Sequence, residues 1–200
     1  FKGKINFNTF PSLEAQISAI SDDIAYNNHD IQDGINANLF KIEELVEIDF
    51  LNKIYKKYKK KINRYNYKIV IYQIIRDSID LMVKDLIKNT INNIEKNKIK
   101  SIKDVYKLKA PIVCFSNKYL EIEKEIRFFL RSKMYNNKNV LIKNNSGKMI
   151  IKDLFIFMNK KPNKFFTTKE LKNDKKRVVA DFISGMTDRF AIKLHKEISW

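Results

Sequence analysis

The stretch SLEAQISAISDDIAYNNHDIQDGI, from Ser12 to Ile35, constrains the fold more than any other part of the chain. Wound at about 100° per residue, Leu13, Ile17, Ile20, Ile24, Ile31 and Ile35 fall within roughly 60° of one another, the stripe of a helix laid on a core. The opposite side carries Ala15, Ala19, Asp22, Tyr26, Asp30 and Asp33 almost in line, because residues four apart stack along a helix surface. A solvated face would hold Lys and Glu there. No Lys or Arg occurs between Ser12 and Ile35, although they make up 40 of the 200 residues. Carboxylates that their own helix leaves unneutralised need an external cation, a metal or a ligand hydroxyl. The pattern predicts one helix with two different buried faces, the second of them serving a site.

The rest of the chain reads as helix as well. FLNKIYKKYKKK, Phe50 to Lys61, alternates apolar residues and Lys at helical spacing, which suits a solvated helix face or, alternatively, a phosphate-contacting arm. From about Tyr67 to Asn97, Ile71, Ile75, Ile79, Met82 and Leu86 mark one side of a long helix, and Val83, Ile87, Ile91 and Ile94 an adjoining side, so more than one packing neighbour is expected. Ser101 with Asp104 resembles a capping box, soon interrupted by Pro111, and Ser116 can cap a helix running to about Tyr135 with Leu120, Ile126, Phe129 and Leu130 inward. NNSG, ending at Gly147, is a loop signal. Met149 to Asn159 predicts a further amphipathic helix stopped by Pro162. A final helix is expected from about Lys169 to Ile198, capped by Thr167 or Thr168, with Val178, Phe182, Met186, Ala191 and Leu194 apolar. Gly185 within it costs about 1 kcal/mol relative to Ala and suggests close helix contact or a break near a site. Nothing argues for a sheet, so one all-α domain over residues 1–200 is the expectation, with Phe1 to Phe10 as a lead-in.

Hydrophobic residues make up 44% of the sequence, enough for a sizeable core. The formal charge of +17 would ordinarily prompt a nucleic-acid or acidic-ligand reading, but Lys, Asn and Ile are over-used everywhere, as in a compositionally biased proteome. Cys114, the only cysteine, lies in the apolar run PIVCF and reads as a core thiol, so no internal disulfide is possible. No apolar run reaches the roughly 18 residues of a membrane span and the start lacks a secretory pattern, pointing to a cytoplasmic protein. A first residue of Phe, not Met, fits the remainder of a longer chain.

SLEAQISAISDDIAYNNHDIQDG resembles the signature of the HD-domain dGTPase-like deoxynucleoside triphosphate triphosphohydrolases. RVVADFISGMTDRFAIKLH, Arg177 to His195, resembles that family's closing motif, and FFLRSKMY (Phe128 to Tyr135) and DLFIFMNKKP (Asp153 to Pro162) fit its spacing. The resemblance implies a helical HD-type fold and hydrolysis of a deoxynucleoside triphosphate by water to deoxynucleoside and triphosphate. It also implies a divalent metal, Mg or Mn, held by a histidine, a His-Asp pair and a later aspartate. By position that aspartate is Asp22, which in mid-helix would otherwise be a plain surface residue. Tyr26 aligns with the tyrosine that packs on the deoxyribose, where the residues alone suggest a core aromatic. Asp30 aligns with the acid that accepts a hydrogen bond from the sugar 3′-hydroxyl.

Asp23 and Asp33 can hold a neighbouring helix or a cation. Arg189, with Asp181, Thr187 and Asp188, matches family positions and can meet a phosphate or an acidic helix neighbour. His29 and His195 are the only histidines, and His29-Asp30 stands outside the family's His-Asp context. The chain by itself thus lacks most of the metal site, and no catalytic residue is assigned within it. The expected function is the C-terminal portion of such a hydrolase, inactive without an N-terminal HD half, with a homo-oligomer implied by the family. The rival readings are a non-catalytic assembly partner or degenerate relative, and a basic helical nucleic-acid binder.

Overall fold

The computed structural model describes residues 9–62, 66–172 and 174–198, and every regular element among them is helical. The all-α expectation holds. Helix α1 spans Leu13–Asn36, α2 Asp49–Tyr58, α3 Tyr67–Lys96, α4 Ile102–Lys107 and α5 Asn117–Leu130; α6 spans Lys138–Lys160, α7 Lys175–Ser184 and α8 Asp188–Ile198. The lead-in up to Asn8 lies outside the described residues. Where the sequence suggests a single domain, the chain packs as two compact units, Phe1–Asn136 and Asn137–Trp200. The physical reason is that the buried apolar residues form two separate cores, one reaching Leu130 and the other built from Leu154 onward.

In the first unit α1 packs on α3 and α5, and α2 on α3. Ile24, Ile31 and Ile35 of the expected stripe are buried, and Leu13 and Ile20 pack partly against the core. Ile17 is not inside but 46% exposed. Gln16 takes the inward position: its Oε1 accepts from the backbone N–H groups of Ile112 (2.9 Å) and Val113 (3.1 Å), and its Nε2 donates to the Pro11 carbonyl (2.8 Å). A residue one position away points about 100° elsewhere, so the two buried N–H donors of Ile112 and Val113, which need an acceptor, decided which of the two turned inward.

The segment before α5 is pinned by a polar ladder on α3. Asn93 Nδ2 donates to the Ile112 carbonyl (2.9 Å) and to Cys114 Sγ (3.3 Å), and Asn89 Nδ2 to the Cys114 carbonyl (2.8 Å). Cys114 is therefore half-buried among amides, not a fully buried core thiol. Ser116 does stand at the N-cap of α5, but its hydroxyl donates to Asp85 Oδ1 (2.7 Å) while its N–H donates to Asp85 Oδ2 (2.9 Å). Leu120, expected inside α5, is 37% exposed, and Ile122 is buried in its place. On the second apolar side of α3, Val83, Ile87 and Ile91 are exposed and Ile94 is half-buried, so no closely packed second neighbour covers it among the described residues. Gly34, inside α1, is where the Phe40 ring lies against the helix, since a Cβ there would overlap the ring. Phe40 in turn meets Phe129 edge-on, with centroids 4.9 Å apart.

In the second unit, NNSG forms no loop. Asn137 caps α6 by accepting from the Asn139 N–H (3.0 Å), and the helix runs through Gly147, whose α-carbon faces open space. Leu154 and Met158 are its buried residues. The expected last helix is divided. Thr167 caps only a short 3₁₀ turn, Glu170–Lys172, and Asp174 caps α7 through Lys176 and Arg177. The chain breaks at Gly185, and the Thr187 hydroxyl accepts from the Phe190 N–H (3.3 Å) to start α8. Val179, Ile183 and Ala191 are the residues it buries, while Phe182 remains 39% exposed.

Candidate functional site

The line Ala15, Ala19, Asp22, Tyr26, Asp30 and Asp33 forms the outer ridge of α1. It is not a second buried face: of these six only Asp30 is partly covered, and Tyr26 is 65% exposed. The sequence placed these side chains together correctly, because an unbroken helix of 24 residues enforces the spacing. Asp22 and Asp33 have no side-chain partner among the described residues.

The flank of this ridge meets α5. Arg127 Nη2 donates to Asp23 Oδ2 (2.9 Å), and Arg127 Nε donates to Glu123 one turn earlier on its own helix. Partial burial pulls the guanidinium pKa down, but the Glu123 and Asp23 carboxylates outweigh it and hold the pKa above its ordinary value. Asp23 thus pairs with a neighbouring helix, one of its two expected roles. Farther along, the Tyr135 hydroxyl donates to Asp30 Oδ2. Burial, then the hydrogen bond to Asp30 and the nearby Asp30 and Tyr26 groups, push the Tyr135 pKa up to about 12, against the opposing pull of Arg127. One hydroxyl is therefore within electrostatic reach of Asp30, Tyr26 and Arg127.

Tyr135 gets there through a wide turn. Arg131–Tyr135 is π-helical, closed by the Asn136 N–H bonding the Arg131 carbonyl five residues back (3.0 Å). In a regular helix Tyr135, eight residues after Arg127, would be rotated about 80° from it. Each π turn admits one extra residue, so Tyr135 takes roughly the place of a seventh residue, nearly in line with Arg127. Lys133, donating to Glu44 (2.9 Å) and Glu47 (2.8 Å), fastens this turn to the 3₁₀ segment Ile42–Glu47. In the sequence Tyr135 stands only at the end of FFLRSKMY, and Arg127 carries no motif. Nothing in RSKMYNN announces a π turn, so the pairing with Asp30 had no local signal.

Chemically the ridge offers hydrogen-bond acceptors and one aromatic face. A carboxylate offers about four acceptor sites, so Asp30 keeps capacity for a ligand hydroxyl beside that of Tyr135. The open ring of Tyr26 offers a packing surface, and Asp22, a helical turn before it, an unneutralised carboxylate. Among the described residues no cluster of three or more His, Cys, Asp or Glu side chains is placed to hold a metal ion, so the donors in this chain alone do not fit a metal site. His29 leans toward α3 instead, lining a cleft of about 430 Å³ with Gln32, Tyr72, Arg76 and Asp80. Arg189 lies exposed on α8 in the second unit, without an ion-pair partner among the described residues. Asp181 pairs with Arg177 on its own helix (2.8 Å) and not across helices.

Residues 113–197 match the family model of the phosphohydrolase-associated domain. A deoxyguanosinetriphosphate triphosphohydrolase-like protein of Pelagibacter ubique is 67% identical over 198 residues, covering 99% of this chain and 53% of that protein. Proteins of the same description from Caulobacter sp. (32% identical, 98% and 51% covered) and Leptospira interrogans (34%, 94% and 51%) also match. The chain spans about half the length of the curated relatives it matches. No helix among the described residues is long and apolar enough to cross a membrane.

Proposed function

We infer that this chain, a relative of the deoxyguanosinetriphosphate triphosphohydrolase-like proteins that corresponds to their C-terminal half, supplies the sugar-binding wall of a deoxynucleoside triphosphate triphosphohydrolase. The overall reaction is hydrolysis of a deoxynucleoside triphosphate to deoxynucleoside and inorganic triphosphate. The observation that carries this reading is the ridge on α1: Asp22, Tyr26 and Asp30 in line, with Asp30 braced by Tyr135 from the π turn that follows α5. In it Asp30 accepts the sugar 3′-hydroxyl, Tyr26 packs on the deoxyribose, and Tyr135 fixes the carboxylate's orientation. Asp22 contributes one carboxylate toward a divalent ion, Mg or Mn, whose other ligands lie outside this chain. No catalytic step is assigned to residues present here.

The exposure of the ridge supports a division of labour in which a further, N-terminal HD half covers it and completes the pocket. Release of triphosphate from dGTP is the direct assay. The isolated chain is expected to release none, and a mixture with the N-terminal half of the Pelagibacter relative to release it. Turnover by the isolated chain would overturn the division, and a mixture that forms a complex but neither binds nor hydrolyses deoxynucleotides would overturn the function. Homo-oligomerisation is proposed by kinship and is read from the mass of the active assembly.

A further inference from the structure

One long side of α3 is left uncovered, and its residues repeat. Ile69, Tyr72, Arg76, Asp80, Val83 and Ile87 follow in steps of three, four, four, three and four residues, and every one of them is exposed. Steps of 3-4-4 make the 11-residue repeat that holds a seam on one side of a nearly straight helix, here for about 27 Å. Exposure of the apolar members runs from 37% (Val83) to 60% (Ile69). Arg76 has no ion-pair partner among the described residues, and Asp80 takes Lys84 (2.7 Å), which leaves its carboxylate further acceptor sites. Tyr72, Arg76, Asp80 and Val83 also border the cleft of about 430 Å³ against α1, so the middle of the seam is a groove that can seat side chains from outside.

We propose that this seam is the interface of a symmetric homodimer, in which two copies of α3 run antiparallel about a two-fold axis at the level of Ser78. The pattern is its own reverse. Ile69 and Ile87 stand nine residues either side of Ser78, Arg76 and Asp80 two either side, and Tyr72 and Val83 six and five. Antiparallel pairing therefore sets Ile69 against Ile87 of the partner subunit, Arg76 against the partner's Asp80 and Tyr72 against the partner's Val83, each contact made twice, as an isologous interface requires. Direction around the helix agrees. At about 100° per residue Ile69 and Ile87 point the same way, and Tyr72 and Val83 lean about 20° apart to one flank, the flank that such an axis preserves. A parallel pair would put Arg76 on the partner's Arg76, so the charges select the antiparallel form. A foreign helix, that of an N-terminal half included, needs only an apolar strip and gains nothing from a self-matching order. The seam covers about 300 Å² on each chain at a helix width of about 11 Å, which is small, so a dissociation constant on the order of 10 μM is expected. The assignment gives the homo-oligomer proposed by kinship a surface; it rests on α3 alone and stands whether or not the ridge on α1 binds a deoxynucleotide.

The test is sedimentation of the 200-residue chain from about 1 to 200 μM, which spans that constant. The mass is expected to rise from 23.8 kDa toward twice that value. Arg76→Asp and Asp80→Arg, each alone, bring like charges together across the axis and should weaken self-association about tenfold or more. The double variant keeps the net charge and restores the pairing, so its constant should return to within about threefold of that of the unmodified chain. The two single variants mixed should pair with each other better than either does with itself, because one carries acids and the other arginines at both central positions. Ile87→Asn, at the end of the seam, should weaken the dimer about fivefold or more. A chain that stays monomeric at about 200 μM overturns the proposal, as does a dimer that neither single reversal weakens or that the double variant does not recover. So does a monomeric chain that binds the N-terminal half of the Pelagibacter relative and loses it on Ile87→Asn, since the seam would then belong to that partner. Circular dichroism of each variant separates loss of pairing from loss of fold.

Discussion

Replacing Gln16 with Leu should destabilise the first unit far more than a hydrophobic substitution one residue from an isoleucine would suggest. The side chain is 7% exposed, and its Oε1 is the acceptor for two buried backbone donors, Ile112 and Val113. Leucine has similar bulk and accepts nothing, so both N–H groups are left without the partner they have here. A buried donor deprived of its partner costs about 1–3 kcal/mol. The bond to Pro11 adds little, because Pro11 is exposed and water replaces it. The expected loss is about 3 kcal/mol, which for a chain of this size lowers Tm by about 10 °C. Urea unfolding followed by circular dichroism measures the first quantity. Hydrogen exchange at the Ile112 and Val113 amides tests the cause, since they should be protected in the unmodified protein and exchange many-fold faster in the variant. Gln16→Glu keeps the acceptor and should retain more than half of the lost stability at neutral pH. A Gln16→Leu protein within about 0.5 kcal/mol of the original, with both amides still protected, would refute the reasoning.

Tyr135, with its pKa pushed up to about 12, should remain protonated at pH 11 in an ultraviolet titration, and Asp30→Asn should bring its transition down toward the ordinary tyrosine value. Because the folded pKa lies above the unfolded one, the contribution to stability is complete below pH 10 and is lost as pH rises from about 10 to 12; a Tyr135→Phe variant should lack that loss in alkaline denaturation. Asp85→Ala removes the acceptor for both Ser116 groups and should cost about 1–2 kcal/mol in urea unfolding, where Asp85→Asn costs less. Gly34→Ala gains about 1 kcal/mol of helix propensity but drives a methyl into the buried Phe40 ring at a cost of about 1–3 kcal/mol. A net destabilisation is expected, and Phe40→Leu in the same chain should recover part of it.

The ridge of α1 was legible in the sequence because it rests on helical periodicity alone, and periodicity is set by the backbone and not by neighbours. The position of Gln16 over Ile17 was not legible. Local pattern favours the isoleucine, and the deciding contact comes from a segment almost a hundred residues later. NNSG carries turn composition, yet its flanks at Asn137 and Leu154 hold a continuous helix, so cap and core overrode local preference. The division between α7 and α8 is half-visible in the sequence: Gly185 signals a break or close contact, but the cap supplied by Thr187 has no signal stronger than those of the neighbouring polar residues. The brace on Asp30 was invisible because it depends on a π turn with no signature in RSKMYNN. Burial of Tyr26 was expected and did not occur: the described residues reach the ridge at Asp30 but leave Tyr26 65% exposed.

Because Asp22 and Tyr26 stand on the open side of α1, their replacement should leave the first unit as well folded and as abundant as before. Folding and function are thereby exposed to different pressures. A cell's quality-control machinery discriminates by unfolded surface, so it has no means of detecting damage at these positions. Under the proposed function, variants there would accumulate as folded protein deficient only in ligand binding, whereas a lesion at Gln16 would be cleared long before its effect on any ligand mattered.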